Sequence, residues 1–265
     1  MAKWCRFKHH NSPLIQFGQL SPDELNIQVA TGDLFSSYAL TDVSIPLQEI
    51  ELLYPCEPSK MIGLWNNFHE LAKQQGNEIP SEPLYFIKAP NSFLATNQPI
   101  QIPKTSSGEV GRILYEGELG IIIGKVTKEV TVEEANDCIF GYTCVNDVTA
   151  LEILSKDNSF KQWTRSKSYD TFGPFGPWIE TEVETQHLVV KTILNSRERQ
   201  SYPVSDMIFN PQQIVSLLSF DMTLFPGDVI ACGTSIGAMP IKAGQTVEIW
   251  IDGIGKLSNS IGVGS

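Results

Sequence analysis

The sequence predicts a mostly β protein with a few helices. Three observations support this class. Short apolar runs, some alternating with polar residues, recur along the chain. Turn signals such as Pro226-Gly227-Asp228 and Asp252-Gly253 separate these runs. Helical periodicity is confined to a few short segments. The spacing of the runs leaves a sandwich, a barrel and a roll equally open.

The first part of the chain reads as short strands. Residues 3–7 and 25–30 alternate apolar with polar side chains, and the turn signals SPDE and TGD interrupt them. Residues 54–60 contain two prolines three positions apart, which favours an extended connector. We therefore expect a small N-terminal β domain over 1–53 and a larger catalytic domain over 54–265.

The remaining elements follow from periodicity and from turn residues. Apolar side chains fall on one face of three short segments, which we expect to be helices: 65–75, 132–137 and 211–219. Apolar runs bounded by turns predict strands at 113–115, 119–123, 187–194, 228–232 and 246–251. Residues 164–178 are rich in glycine and proline, and we expect a rigid, sharply turning loop there.

Composition and charge limit the class of protein. The net charge of −11 argues against a nucleic-acid binder and against adhesion to an anionic membrane. No apolar run approaches the length of about 18 residues that spans a bilayer, and the basic N-terminus lacks the apolar stretch of a secretory signal. The five cysteines show no C-x-x-C spacing, which is typical of reduced thiols in a cytoplasmic protein.

The most informative segment is 115–124, Y-E-G-E-L-G-I-I-I-G. Residues two apart in a strand project from the same face, so Glu116 and Glu118 place two carboxylates side by side in an apolar strand. Like charges on one buried face repel, and a divalent cation between them removes that cost. The glycine between them leaves the opposite face open to close backbone approach. The alternative is an edge strand with a solvated acidic face.

A third carboxylate, Asp147, lies in the second β-rich run, F-G-Y-T-C-V-N-D-V at 140–148. Together with Glu116 and Glu118 it completes an all-oxygen ligand set, which favours Mg²⁺, Mn²⁺ or Ca²⁺ over zinc. Three carboxylates leave positions free for water and substrate, as a catalytic Lewis acid requires. The alternative is that Asp147 supports a turn.

Two further segments carry candidate substrate-binding groups. Lys167, held near a dication, would have a lowered pKa and serve as a base or bind an anionic substrate; alone, it reads as a solvated surface lysine. Gly233 and Thr234 open a glycine-rich turn after a predicted strand. Their backbone N–H groups and the threonine hydroxyl are placed to hold a carboxylate, although a plain hairpin loop fits equally well.

These segments, in this order, resemble the fumarylacetoacetate hydrolase family, in particular its short bacterial acylpyruvase-like and 2-hydroxyhepta-2,4-diene-1,7-dioate isomerase-like members. The resemblance rests on 115–125, 141–150, 167–181 and 226–237 and covers roughly residues 55–262. It implies a mixed β-roll, a homodimer and a dication, usually Mg²⁺ and sometimes Mn²⁺ or Ca²⁺. The family's metal ligands fall on Glu116, Glu118 and Asp147, its lysine on Lys167 and its threonine on Thr234.

The resemblance also implies a reaction class: hydrolysis of a C–C bond, decarboxylation or keto–enol isomerisation of small anionic 2-oxo or 2-hydroxy-dienoic acids. The family's water-activating His and Glu, however, fall on Leu71 and Gln74. Glu70 shares a helical face with Gln74 and is a weak candidate for a substitute base. An arginine and a glutamine that often line the family's pocket fall on Leu151 and Leu154. We therefore expect an enzyme that favours isomerisation or decarboxylation; the alternative is an impaired member that binds metal and a small carboxylate without hydrolysis.

Overall fold

The structure is a computed structural model that describes residues 2–105 and 108–262. The outermost residues of the two expected domains, 1 and 263–265, lie outside this range. The α-helices of the described residues are short except for the last. They are α1 (His69–Gln75), α2 (Val132–Ala135), α3 (Leu151–Leu154), α4 (Trp163–Lys167) and α5 (Pro211–Asp221).

Strands make up most of the regular structure, which confirms the predicted class. They are β1 (Lys3–His9), β2 (Ile15–Leu20), β3 (Asn26–Asp33), β4 (Ser37–Pro46), β5 (Ile50–Leu52), β6 (Met61–Trp65), β7 (Leu84–Lys88), β8 (Phe93–Leu94), β9 (Ile100–Gln101), β10 (Lys104–Thr105), β11 (Gly108–Glu109), β12 (Ile113–Leu114), β13 (Gly117–Ile123), β14 (Ile139–Asn146), β15 (Thr149–Ala150), β16 (Gly173–Glu180), β17 (Val189–Leu194), β18 (Arg197–Pro203), β19 (Val229–Ala231), β20 (Pro240–Ile241), β21 (Thr246–Ile251) and β22 (Gly255–Gly262).

Most strands join one large sheet. Its order is β4-β3-β2-β1-β16-β14-β13-β19-β6-β7, with β5 paired to β1 and β8 paired to β16. A second sheet has the order β18-β17-β21-β22-β9, and a three-stranded sheet has the order β15-β12-β20. The four N-terminal strands thus continue the large sheet through the pairing of β1 with β16.

The largest apolar core lies between the two larger sheets. Strands β13, β14 and β16 of the first contact β17, β21 and β22 of the second. All seven residues of β13 and all eight of β16 are buried. A strand covered on both faces reads as a continuous apolar run rather than an alternating one, as 119–123 does. A separate small cluster, around Phe7, Ile27 and Trp178, fills the N-terminal part.

The helix expected at 65–75 begins later, at His69. Residues 61–65 form β6 instead, and Asn66 adopts a left-handed backbone with φ 59°, which separates strand from helix. Gly76 ends the helix in the left-handed conformation, as C-terminal glycines commonly do. The helix expected at 211–219 is confirmed as α5, whose N-cap Asn210 and Gln213 form a capping box.

The loop expected at 164–178 is wrong at both ends, because α4 continues to Lys167 and β16 begins at Gly173, so that only 168–172 form a loop. Proline is tolerated in this buried strand because the hydrogen-bond ladder is irregular there. Pro174 pairs with the two-residue β8, and Pro177 lies where the register against β14 shifts.

All five cysteines are buried and unpaired, as their spacing predicted. Among the helices of the described residues, none is long and apolar enough to cross a membrane.

Candidate metal centre and its cavity

The pairing of β13 with β14 brings the three predicted carboxylates together. Gly117 lies opposite Asn146, so Glu116 just before β13 and Asp147 just after β14 meet at the same end of the pair. The Asp147 amide donates to the Glu116 carbonyl at 2.9 Å, which ties the two backbones together. Glu116, Glu118 and Asp147 each offer a carboxylate oxygen within 4.8 Å of the others.

Glycine is required between the two glutamates because the second sheet approaches closely. A Cβ at Gly117 would clash with Oγ1 of Thr192 and with Ile249. Gln200 accepts from the Gly117 amide at 3.1 Å, and Tyr202 donates to the Gly117 carbonyl. Side chains of the second sheet, rather than the expected backbone, therefore approach this glycine closely, and their contacts fix the position of both neighbouring carboxylates.

Glu118 is fully buried, as is Asp147, and one of the Glu118 oxygens is unsatisfied. Its Oε2 accepts from the Gly233 amide at 2.7 Å, but its Oε1 has no partner among the described residues. Burial, followed by repulsion from Asp147 and Glu116, raises the pKa of Glu118 well above its usual value. A buried carboxylate oxygen that accepts no hydrogen bond is suited to bind a cation, because the cation would satisfy it.

Two lysines surround Asp147. Nζ of Lys167 lies 2.5 Å from Oδ2 of Asp147 and 2.9 Å from Oε2 of Glu116. Nζ of Lys88 lies 2.5 Å from Oδ1 of Asp147. Burial opposes the ionisation of Asp147, but the two ammonium groups outweigh it and lower the pKa of this carboxyl. Three carboxylates against two ammonium groups leave an excess negative charge, so the residues fit a divalent cation.

The two lysines differ in their own ionisation. Burial tends to lower the pKa of Lys167, but its ion pairs with Asp147 and Glu116 outweigh burial and raise the pKa above its usual value. The expectation of a lowered pKa is therefore not met by these protein contacts alone. Lys88 is fully buried, and burial lowers its pKa despite the charge of Asp147. Lys167 is well suited to remain an ammonium group.

One member of the triad, Glu116, lines a cavity of about 310 Å³. Thr149, Lys167 and Thr234 line it as well. Oγ1 of Thr149 donates to Oε1 of Glu116 at 2.5 Å and so orients this carboxylate. The cavity therefore gives a small anion access to Glu116 and to the ammonium group of Lys167.

The glycine-rich turn at 233–237 holds the site differently from the expectation. The Gly233 amide donates to Glu118, and Gly233 does not line the cavity. Thr234 does line it, but its hydroxyl donates to the Gly117 carbonyl at 3.0 Å and accepts from Nε2 of Gln200 at 3.0 Å. The turn thus positions a carboxylate of the triad, and Thr234 offers the cavity its remaining oxygen lone pair.

Helix α1 presents Leu71 and Gln74 to the cavity. Glu70, the suggested substitute base, is exposed and outside the cavity lining; its backbone amide donates to Asp206. Although Glu70 shares a helical face with Gln74, it lies in the first turn of α1 and its side chain is exposed outside the cavity. The structure thus brings Glu116, Glu118, Asp147, Lys167 and Thr234 together, and leaves Glu70 aside.

Comparison with known proteins agrees with the resemblance. The model "Fumarylacetoacetate (FAA) hydrolase C-terminal" matches residues 60–262, and the model "Rv2993c-like, N-terminal" matches residues 2–55. The chain is similar to oxaloacetate tautomerase YisK of Bacillus subtilis, with 35% identity over 268 residues, 91% of this chain and 87% of that protein.

Solved structures include similar molecules. A 2-hydroxyhepta-2,4-diene-1,7-dioate isomerase from Mycobacterium marinum superposes with a TM-score of 0.88 at 34% identity, covering 99% of each chain. A maleylpyruvate hydrolase from Sphingobium sp. SYK-6, in complex with manganese(II) and pyruvate, superposes with a TM-score of 0.77 at 25% identity, covering 99% of this chain and 100% of that one. The chain belongs to the fumarylacetoacetate hydrolase family, a family of enzymes.

Proposed function

We propose that this protein is a dication-dependent enzyme that interconverts keto and enol forms of small 2-oxo acids. The reaction breaks the C3–H bond and forms an O–H bond at C2, and solvent water in the open cavity would take up and return the proton. The observation that carries the proposal is the cavity itself, where Glu116 of the triad and Lys167 meet walls that, among the residues the structure describes, contain no water-activating His–Glu pair. The activity named for the tautomerase relative belongs to the same reaction class.

The metal proposed for the triad is Mg²⁺, with Mn²⁺ or Ca²⁺ as substitutes. Glu116, Glu118 and Asp147 would hold it, and an all-carboxylate oxygen set suits these hard cations. The unsatisfied Oε1 of Glu118 supports this assignment. When bound, the cation supplies Lewis-acid stabilisation of the negative charge that develops on the oxygen of an enolate.

Lys167 is proposed as the residue that binds and orients the substrate. Lys167 lines the cavity, and its Nζ donates to Glu116 and Asp147, so its ammonium group is held beside these two carboxylates. Its raised pKa keeps the ammonium form, which attracts the substrate carboxylate and donates a hydrogen bond to it. Thr234, which also lines the cavity, would accept a hydrogen bond from the substrate.

Hydrolysis of a C–C bond needs a base that activates water, worth about 10² to 10⁴ in rate. Leu71 is apolar and Gln74 does not ionise, so neither supplies this base. Among the described residues that line the cavity, the carboxylate is Glu116, which belongs to the triad, and no histidine is present. The proposal therefore places enolisation ahead of hydrolysis.

A paired assay tests the proposal. Purified protein with Mn²⁺ is tested for tautomerisation of 2-oxo acids, followed by the decay of enol absorbance, and for hydrolysis of an acylpyruvate. The proposal expects metal-dependent tautomerisation with slow or no hydrolysis. Hydrolysis at ordinary enzyme rates contradicts it. Binding of Mn²⁺ and oxalate with turnover of neither substrate supports the alternative, an impaired family member.

We also propose that the chain forms a homodimer, as the family resemblance implies. Light scattering on the eluting protein gives its mass directly. A mass of twice 29.4 kDa is expected, and a monomer across the working concentration range contradicts this.

A further inference from the structure

The cavity is lined by both polar and apolar side chains. Its charged groups are Glu116 and Lys167, and its neutral polar groups include Thr149, Thr234, Asn66, Gln74, Gln75 and Ser235. Its apolar lining includes Leu71, Leu114, Leu151, Leu154, Trp65 and Trp163. The four leucines are half-buried in the protein, so part of their apolar surface faces the cavity.

The two tryptophans form an aromatic corner with Phe86. Trp163 stacks on Phe86 with ring centroids 5.3 Å apart and an interplanar angle of 14°. Trp65 lies 6.0 Å from Trp163, tilted by 60°, and is 40% exposed. Both tryptophans also line an adjoining depression of about 440 Å³ with Pro83, Leu84 and Tyr85. The apolar surface thus continues outward beyond the cavity.

The charge of the residues that line the cavity determines which chemical group at the end of a substrate this apolar surface accepts. Among the described residues that line the cavity, Lys167 is the one cation, and it already pairs with Glu116 and Asp147. A second carboxylate on the substrate would find no second cation there, because apart from Glu116 and Lys167 the polar side chains that line the cavity are neutral amides and hydroxyls. Against leucine and tryptophan it would lose its hydration without gaining an ionic partner. An apolar group in the same place gains free energy from burial.

We propose that the substrate is a 2-oxo acid with an apolar tail, aryl or branched alkyl, rather than a dicarboxylic acid. This inference rests on the proposed function, because the 2-oxo acid head is assigned to the triad and Lys167. The tail lies against Leu71, Leu151, Leu154 and the Trp65–Trp163 pair. The tail-binding wall is a specificity-determining surface of the cavity.

Binding of unreactive 2-oxo acid mimics tests the inference without turnover. Three probes share one head: oxamate has no tail, oxanilate has a phenyl tail, and N-oxalylglycine has a carboxylate tail. Titration calorimetry is performed on the full chain with saturating Mn²⁺. Oxanilate is expected to bind about tenfold more tightly than oxamate, since burial of a ring contributes at least that much, and N-oxalylglycine no more tightly than oxamate.

The outcomes separate the two proposals. If none of the probes binds, the proposed function and the inference fail together. If oxamate binds but the phenyl tail adds nothing, or if N-oxalylglycine binds more tightly than oxanilate, the inference fails while the proposed function stands.

Substitutions test which residues of the cavity wall cause the preference for an apolar tail. Leu151→Arg is expected to improve binding of N-oxalylglycine about tenfold and to weaken oxanilate, because it places a cation on the apolar wall. Leu217→Arg, on an exposed position of α5, is the matched control and should change neither. Trp65→Ala should reduce the advantage of oxanilate over oxamate. Thermal unfolding of each variant verifies that it is folded, and an unchanged probe preference in folded Leu151→Arg and Trp65→Ala overturns the inference.

Discussion

Lys88 and Asp147 form a fully buried ion pair, with Nζ of the lysine 2.5 Å from Oδ1 of the aspartate. The second oxygen of Asp147 pairs with Lys167, so two ammonium groups hold one carboxylate from both sides. Lys88 ends β7, and Asp147 follows β14, which lies four strands away in the large sheet. The ion pair therefore connects distant parts of the sheet at the point where the triad is assembled.

Removing the lysine of this pair should destabilise the fold. Lys88→Met keeps the length of the side chain but leaves Asp147 with one cation in place of two. Breaking a buried pair by removing one partner typically costs about 3 kcal/mol or more. Urea unfolding in chelator should show this loss. Lys128→Met, in an exposed pair with Glu129, is the control and should change stability by less than about 1 kcal/mol. Equal stability of both variants would contradict a structural role for Lys88.

Loss of one triad carboxylate should abolish useful dication binding. Glu118→Gln keeps the shape of the side chain but removes the charge from the oxygen that has no partner. We expect the affinity for Mn²⁺ to fall at least about 100-fold, since the loss of an outer-shell partner alone costs up to that much. Calorimetric titration measures it. Glu133→Gln, exposed on α2, provides the control, and unchanged Mn²⁺ affinity in Glu118→Gln would show that the triad is not the site.

Although Glu118→Gln should weaken Mn²⁺ binding, it should stabilise the metal-free protein against unfolding as the pH is raised. The pKa of Glu118 is raised in the folded state, so the folded protein binds more protons than the unfolded chain. Its contribution to stability is present below the unfolded pKa of about 4.5 and is lost as the pH rises from there toward the folded pKa. In chelator, the wild type should therefore become less stable than Glu118→Gln as the pH is raised. Unfolding midpoints that run parallel for the two proteins from pH 5 to pH 9 would be evidence against this.

Restoring the missing pair should add hydrolysis. Leu71→His with Gln74→Glu puts an imidazole and a carboxylate on the α1 face that lines the cavity. We expect hydrolysis of an acylpyruvate to rise at least about 100-fold, the lower end of what a positioned base contributes. Glu70→Ala is the control and should alter neither reaction, because this side chain lies outside the cavity. A folded, metal-binding double variant without any gain would mean that the base is not what limits hydrolysis.

The sequence identified the carboxylate triad because part of its signal is local. Glu116 and Glu118 lie two apart with a glycine between them, so strand geometry was enough to group these two, while the family resemblance added support for Asp147. The helix at 211–219 was equally clear, because a capping residue and a proline mark its beginning. By contrast, the irregular pairing that allows β16 to contain two prolines depends on partner strands far away in the sequence.

The remaining site residues were missed because tertiary contacts define them. Lys88 is the clearest example. It shares the buried face of β7 with Phe86. The available sequence signal was a lysine at an inward position of a short apolar strand. The hydrogen bond from the Gly233 amide to Glu118 cannot be predicted from a turn motif. Likewise, the contact between Trp65 and Trp163 joins positions almost a hundred residues apart.

The central claim is that Glu116, Glu118 and Asp147 hold one divalent cation beside Lys167. A crystal soaked with Mn²⁺ and oxalate, measured for anomalous scattering of manganese, tests it most directly. The expected result is a single strong peak about 2.0 to 2.4 Å from one oxygen of each carboxylate, with oxalate completing the shell on the cavity side. An empty triad, or manganese bound elsewhere with these three carboxylates turned away from one another, would contradict the account.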